Sequence, residues 1–304
     1  MLRLWFALVA VAAGACLLAG GAVSGSSATP SYPVTIAVTN GKITIPKQPG
    51  RIVSLSASAT ESLFAIGAGS QVVAVDDQSD FPKSAPKTTL SGFTPNVEAI
   101  AGYKPDLVIA SYDPKGMSDG LEKLGIRVVV QDAPKTLAGA YQQIRQLGLV
   151  TGHLPQAMTT INEMKKRIAT AVAKTKGRAN GLSVYHELTP DFYSASSSSF
   201  IGKIYALLGL ENIADAADGS GTGYPQLSAE YIVSASPDLI VLADSVCCGQ
   251  TRATVAARPG FGTVKAVRTG SIVRIDDSVA SRWGPRLVSY FRALERAIIR
   301  LTSS

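Results

Sequence analysis

Histidine is nearly missing from this chain. Only His153 and His186 occur in 304 residues, which excludes a metal site built from imidazoles. Cysteine is almost as scarce: Cys16 lies in an N-terminal apolar stretch, and Cys247 and Cys248 are adjacent. Without a CxxC or a zinc spacing, neither a disulfide framework nor a structural metal is indicated. Charged residues are thin, at 17%, and the +7 balance of 29 Lys+Arg against 22 Asp+Glu is scattered. The densest cluster is Lys165-Lys166-Arg167, too small for a nucleic-acid face. Catalytic signatures are missing as well, with no GxSxG, HExxH, GxxxxGK[ST] or complete GxGxxG. Gly67-Ala68-Gly69 caps a helix, Gly219–Gly223 reads as a flexible turn, and Asp76-Asp77 read as cap and turn residues at a strand end. No chemistry on a substrate is therefore expected. What the chain does have is apolar mass: 46% hydrophobic residues exclude disorder as the main state and suffice for two cores over this length.

The N-terminus reads as an export signal over residues 1–28. Arg3 is its single positive charge and Leu4 to Ala15 form the apolar core. Three fates stay open. Ala13-Gly14-Ala15-Cys16 resembles a lipobox that would make Cys16 the lipid-bearing residue, although Leu is usual where Ala13 stands. Cleavage after Ser26-Ser27-Ala28 is the second, and an uncleaved anchor over residues 4–23 is the third. Each places the protein outside the cytoplasm, in the periplasm or on the outer face of the cytoplasmic membrane. No later segment has 18 unbroken apolar residues.

The most informative feature is an internal repeat. Glu98 to Ile109 reads EAIAGYKPDLVI, and Glu230 to Val241 reads EYIVSASPDLIV. Each predicts a short helix, a Pro-Asp stop and a buried strand. Weaker echoes pair Glu61–Gly67 with Lys203–Gly209, and Ile126–Val130 with Ile272–Ile275. Strands are expected at Ile52–Leu55, Val72–Val75, Leu107–Ala110 and Arg127–Val130, then at Leu182–His186, Leu239–Leu242 and Ile272–Ile275. Their alternation with helices predicts two α/β lobes with mostly parallel sheets. Between them, apolar residues recur at helical spacing from Leu137 to Val172, with a break near Gly152-His153-Leu154-Pro155. The expected organisation is an N-terminal lobe at 29–135, a helical connector at 136–176 and a C-terminal lobe at 177–304.

Over residues 50–301 the chain resembles the substrate-binding proteins of ATP-binding-cassette (ABC) importers for cobalamin, ferric siderophores and haem, nearest to the cobalamin type. The resemblance rests on Arg51–Leu55 with Ser58-Ala59-Thr60-Glu61, on Ser79-Asp80-Phe81-Pro82, on Pro95–Leu107, on Tyr224–Glu230 and on Ser281–Arg286. It implies the class III periplasmic-binding-protein architecture: two Rossmann-like lobes joined by one long rigid helix, with ligand held in the cleft between them. It further implies a monomer with no cofactor of its own, whose ligand arrives with its metal already chelated. The partner implied is a permease dimer, contacted by one exposed glutamate per lobe. Glu98 and Glu230 occupy those positions, and they are also the pair that the repeat selects. The plainer account of each acid is that it complements the N-terminus of its helix, worth about 0.3–1 kcal/mol.

In such lobes ligands sit beyond the carboxyl ends of the strands. That points to the loops Ser56–Ser58, Asp76–Phe81, Ser111–Gly116, Glu187–Ser197, Asp244–Gln250 and Asp276–Trp283. Aromatic walls with a few polar groups suit a large, partly flat ligand. The expected contacts are Ser56, Gln78, Phe81, Phe93, Tyr112, Tyr193, Arg282 and Trp283, with Phe192 in the same loops. By resemblance, Phe93 stands where cobalamin binders often carry a tryptophan. Arg282 and Arg286 offer bidentate donors to an anionic ligand, or else sit in a solvated turn or serve a helix start before Pro285. Tyr112 and Tyr193 leave a haem axial ligand open, whereas His186 reads as a satisfied strand-end residue and His153 as surface. Cys247-Cys248 is expected at the cleft mouth, as a vicinal disulfide or as free thiols.

Overall fold

The computed structural model describes residues 31–303; the export signal and Cys16 lie outside them. The chain begins with an antiparallel hairpin, β1 (Val34–Val38) and β2 (Gly41–Ile45). Its alternating burial leaves one face for the core. Asn40 at the turn also fastens the hairpin to the first lobe, donating to the Val128 carbonyl at 3.0 Å and accepting from Val130 N–H at 3.0 Å.

The β-branched runs then fold as expected. β3 (Ile52–Leu55), α1 (Ala57–Ala65), β4 (Val72–Val75), α2 (Val97–Gly102), β5 (Leu107–Ala110), α3 (Met117–Lys123) and β6 (Arg127–Val130) build the first lobe. Its sheet is fully parallel in the order β4-β3-β5-β6. β3 and β5 are buried at every position, as a parallel sheet covered on both faces requires.

The connector is two helices rather than one. α4 (Leu137–Thr151) ends at Gly152 in the left-handed region, φ 81°, and α5 (Leu154–Thr175) restarts with Pro155 in its first turn. The two pack closely enough that a Cβ on Gly148 would stand 2.4 Å from Ala157 Cβ. At 22 residues, α5 is about 33 Å long. α4 packs on α1 and the hairpin, whereas α5 packs on helices of the second lobe.

That lobe comprises β7 (Ser183–Glu187), α6 (Phe200–Leu208), the two-residue β8 (Glu211–Asn212), α7 (Ala229–Ala235), β9 (Leu239–Leu242), α8 (Arg252–Ala256), α9 (Lys265–Arg268), β10 (Ile272–Arg274), α10 (Asp277–Ala280) and α11 (Leu287–Leu301). Its parallel sheet runs β10-β9-β7-β8, the mirror listing of the first. β7 begins and ends one residue later than expected, and β10 stops at Arg274.

The repeat extends beyond the sequence match. Lys104 and Ser236, each directly before a proline, are both left-handed, at φ 49° and 43°. Asp106 then accepts from Gly50 N–H at 2.9 Å and Arg51 N–H at 3.0 Å, and Asp238 accepts from Ser183 N–H at 2.8 Å. Each Pro-Asp carboxylate thereby caps the start of the central strand and fixes its register, Ile52 to Leu107 in one lobe and Val184 to Leu239 in the other. One apolar cluster runs from the hairpin through α4 and α5 to α11, including Ile36, Ile144, Met164 and Leu294. Two further clusters cover the opposite sheet faces. The lobes thus share a core through the connector.

Candidate functional site

The helices that precede β5 and β9 run antiparallel to the strands, so their N-termini stand at the carboxyl edges of the sheets. The loops after the strands lie at the same edges. Contacts between the lobes show that the two edges face one another. Arg282, after α10, reaches across to Glu61 Oε1 at 3.0 Å, Asp80 Oδ1 at 2.6 Å and the Gln78 carbonyl at 2.6 Å. Arg286 donates to Glu61 Oε1 at 2.5 Å and lays its guanidinium 4.3 Å from the Phe81 ring centre. Ser278 donates to Asp80, and Lys203 to the Lys135 carbonyl.

This latch corrects the expectation for Arg282 and Arg286. Their guanidiniums are held by the protein's own acids, and Arg282 is largely buried. Glu61 is 2% exposed on α1, where only paired charge is tolerated. Partial burial works against ionisation of Asp80, yet the Arg282 hydrogen bond and charge outweigh it and keep the carboxyl below its usual range. Asp76, as expected, is a turn residue: it accepts from the Ser79 hydroxyl, and burial raises its pKa.

Among the described residues, every exposed aromatic sits on these edge loops: Phe81, Phe93, Tyr112, Tyr193 and Tyr224, between 40% and 71% exposed. Four of the five were expected. Tyr224 was read only as part of a family segment; its place became visible once Tyr193 bridged to Gln226, next to Tyr224's neighbour Pro225. Trp283 is half-buried and lines a narrow crevice with Ser56, Ser58 and Gln131. Gln78 is exposed beside Asp77. Ser56 is buried and caps α1, accepting from Ala59 N–H at 3.4 Å, so its hydroxyl serves the helix first. Phe192 departs from the group. It turns inward at φ 71° and stacks on Phe261, centroids 6.0 Å apart.

Glu98 and Glu230 are both exposed, second in their helices behind the caps Asn96 and Ser228. Neither makes a hydrogen bond or ion pair within the described residues. Cys247 and Cys248 are exposed free thiols. Adjacent Cα atoms across a trans peptide stand about 3.8 Å apart, short of the usual disulfide span. The backbone N–H groups of Val246 and Cys247 are held by Asp277 at 3.0 and 2.6 Å. Desolvation and then the Asp277 carboxylate push the Cys247 thiol up, leaving it protonated and a poor nucleophile. His186 is fully buried inside β7, bonded through Nδ1 to Tyr205 Oη at 2.6 Å, with Nε2 unpaired. Burial lowers its pKa to about 3. No group of three or more His, Cys, Asp or Glu suited to a metal ion occurs among the described residues.

Residues 52–279 match the model of a protein family described as periplasmic binding protein. The chain belongs to that family. This periplasmic binding protein is 31% identical to an uncharacterized ABC transporter substrate-binding lipoprotein of Bacillus subtilis, over 89% of this chain and 87% of that one. It is 32% identical to a cobalamin-binding protein of Halobacterium salinarum, over 90% and 76%. Among solved structures, it superposes with TM-score 0.70 on a "possible" iron-binding (periplasmic solute-binding) protein from Staphylococcus epidermidis, 26% identical, covering 83% and 99% of the two chains. The periplasmic binding protein is therefore the extracytoplasmic substrate-binding component of an ABC importer. It is not an enzyme, and its partners are a permease and a small-molecule ligand. No helix of the described residues is long and apolar enough to cross a membrane.

Proposed function

We propose that the cleft between the two carboxyl edges captures cobalamin and that the loaded protein delivers it to the permease, docking through Glu98 and Glu230. The observation that carries this reading is the confinement of exposed aromatics to the facing loops. Phe81, Phe93, Tyr112, Tyr193 and Trp283 offer flat apolar surface to a corrin-like ring, and Gln78 offers a polar edge. Arg282 acts one step back, fixing the distance between the lobes. With a shared core and this latch, capture needs little hinge motion. The 32%-identical relative named a cobalamin-binding protein supports the choice of ligand. Calorimetric titration with cyanocobalamin tests it: saturable binding at micromolar concentration or tighter is expected, and no heat of binding would reject cobalamin.

A second reading, a ferric siderophore or haem, is favoured by the exposed phenols of Tyr112 and Tyr193, which are competent oxygen ligands to iron. The same titration with hemin and with a ferric hydroxamate separates the readings. Docking is tested by reversing both acids, Glu98→Lys and Glu230→Lys, which should abolish uptake while ligand affinity stays within twofold.

A further inference from the structure

The two rims on which Glu98 and Glu230 stand are built from the same repeat but finished differently. In the first lobe Val97 precedes Glu98, and its Cγ2 lies 3.1 Å from where a Cβ on Gly120 would stand. α2 is thereby closed against α3. At the equivalent place in the second lobe stands Ala229, two methyl groups smaller. It opens onto a hollow of about 690 Å3 that also carries Glu230 on its lining. The walls are apolar, with Phe192, Val233, Pro259 and Phe261 among them, and Arg258 is part of the lining.

Arg258 does not make this an anion site. It donates to both carboxylate oxygens of Glu187 at 2.6 Å, and its guanidinium lies 5.2 and 5.4 Å from the Phe192 and Phe261 ring centres. The cation is neutralised from behind and sheathed by rings. Phe192 holds its place with a left-handed backbone that is costly for an aromatic residue. Among the described residues lining the hollow, the one unpaired charge is Glu230 on the rim.

We propose that this hollow is a docking socket for the permease subunit that meets the second lobe. That subunit would present a cation to Glu230 and, next to it, a large apolar side chain that fills the space between Ala229, Val233 and Phe261. The inference rests on the docking role given to Glu230 above. A rim charge steers and orients the encounter, and a filled apolar pocket beside it supplies the anchor that an exposed ion pair lacks. The permease would then hold the two lobes unequally, the second lobe more tightly.

The test fills the socket without touching the charge. Ala229→Leu, and Ser234→Trp as a second variant on the exposed wall, are compared with the unaltered protein for binding to the importer's membrane complex in nanodiscs, and separately for cyanocobalamin binding. Docking should weaken at least tenfold in whichever variants retain the native circular dichroism spectrum, with ligand affinity unchanged. Unchanged docking in a folded variant overturns the socket, as does an equal loss of ligand affinity, which would assign the hollow to the ligand site. Glu98→Lys with Glu230→Lys separates the two levels. If that pair loses docking while the filled variants keep it, the socket fails and the docking role stands; if all of them dock normally, both fail.

Discussion

The two lobes share one scaffold and use it differently. Their sheets have the same strand order, their Pro-Asp carboxylates cap the same strands, and both of their exposed glutamates follow a capping residue. At the carboxyl ends of the central strands they part. Where the first lobe ends β3 on apolar Leu55, the second ends β7 on Glu187, buried and paired with Arg258 beside a fully buried Asp244. The first lobe instead contributes Glu61 and Asp80 to the latch and receives the second lobe's arginines. The Pro-Asp caps at repeated positions fix the register of both sheets, and the contacts that join the lobes come from positions outside the repeat.

The largest effect is expected where the lobes meet. Glu61→Ala leaves Arg282 and Arg286 without their shared buried acceptor and should cost about 3–5 kcal/mol, read as a large drop in denaturant midpoint; a change below 1 kcal/mol would show that the connector alone couples the lobes. Next come the paired caps. Asp106→Ala and Asp238→Ala should each cost about 1–3 kcal/mol by orphaning strand-start N–H groups, with Asp238 the costlier because Lys265 also pairs with it. Markedly unequal values in the opposite order would break the equivalence.

A pH effect of opposite signs is built into the second lobe at Asp244 and His186. Burial, then the Glu187 carboxylate, push Asp244 up to about 7, and neither of its oxygens meets a hydrogen-bond donor. Its protonated form is therefore favoured in the fold. The stabilisation is complete below the ordinary carboxylate range and is lost as pH rises through about 7. Asp244→Asn should flatten the decline in stability between pH 5 and pH 8; an unchanged slope would contradict the assignment. His186 acts oppositely, since its pKa of about 3 makes it lose stability as pH falls below about 6.5. Smallest is the contribution of one cleft wall. Tyr193→Ala should weaken cobalamin binding about tenfold, or about 1.4 kcal/mol, while changing the unfolding free energy by less than about 0.5 kcal/mol.

Much of this was legible in the sequence, and the reasons are local. Ile52–Leu55, Leu107–Ala110 and Leu239–Leu242 are β-branched or leucine runs between breakers, so their strands were readable to the residue. The hairpin at Val34–Ile45 was not read, although Asn40-Gly41 between alternating apolar residues is its signal. β8 has two residues and no pattern to find. The cleft aromatics were legible because strand ends locate them, whereas the latch was not. Arg282 was read as an anion binder on its chemistry, and its anion lies 221 residues away in Glu61. The Asp244 cluster was equally hidden, since Glu187, Asp244 and Arg258 meet only when the sheet closes.

The central claim, that ligand is held between the facing carboxyl edges, is tested most directly by hydrogen exchange with and without saturating cyanocobalamin. Protection is predicted in the loops spanning 76–94, 111–116, 188–197 and 276–286, on both lobes together. Protection on one lobe only, or centred on α5 and α11, would contradict it.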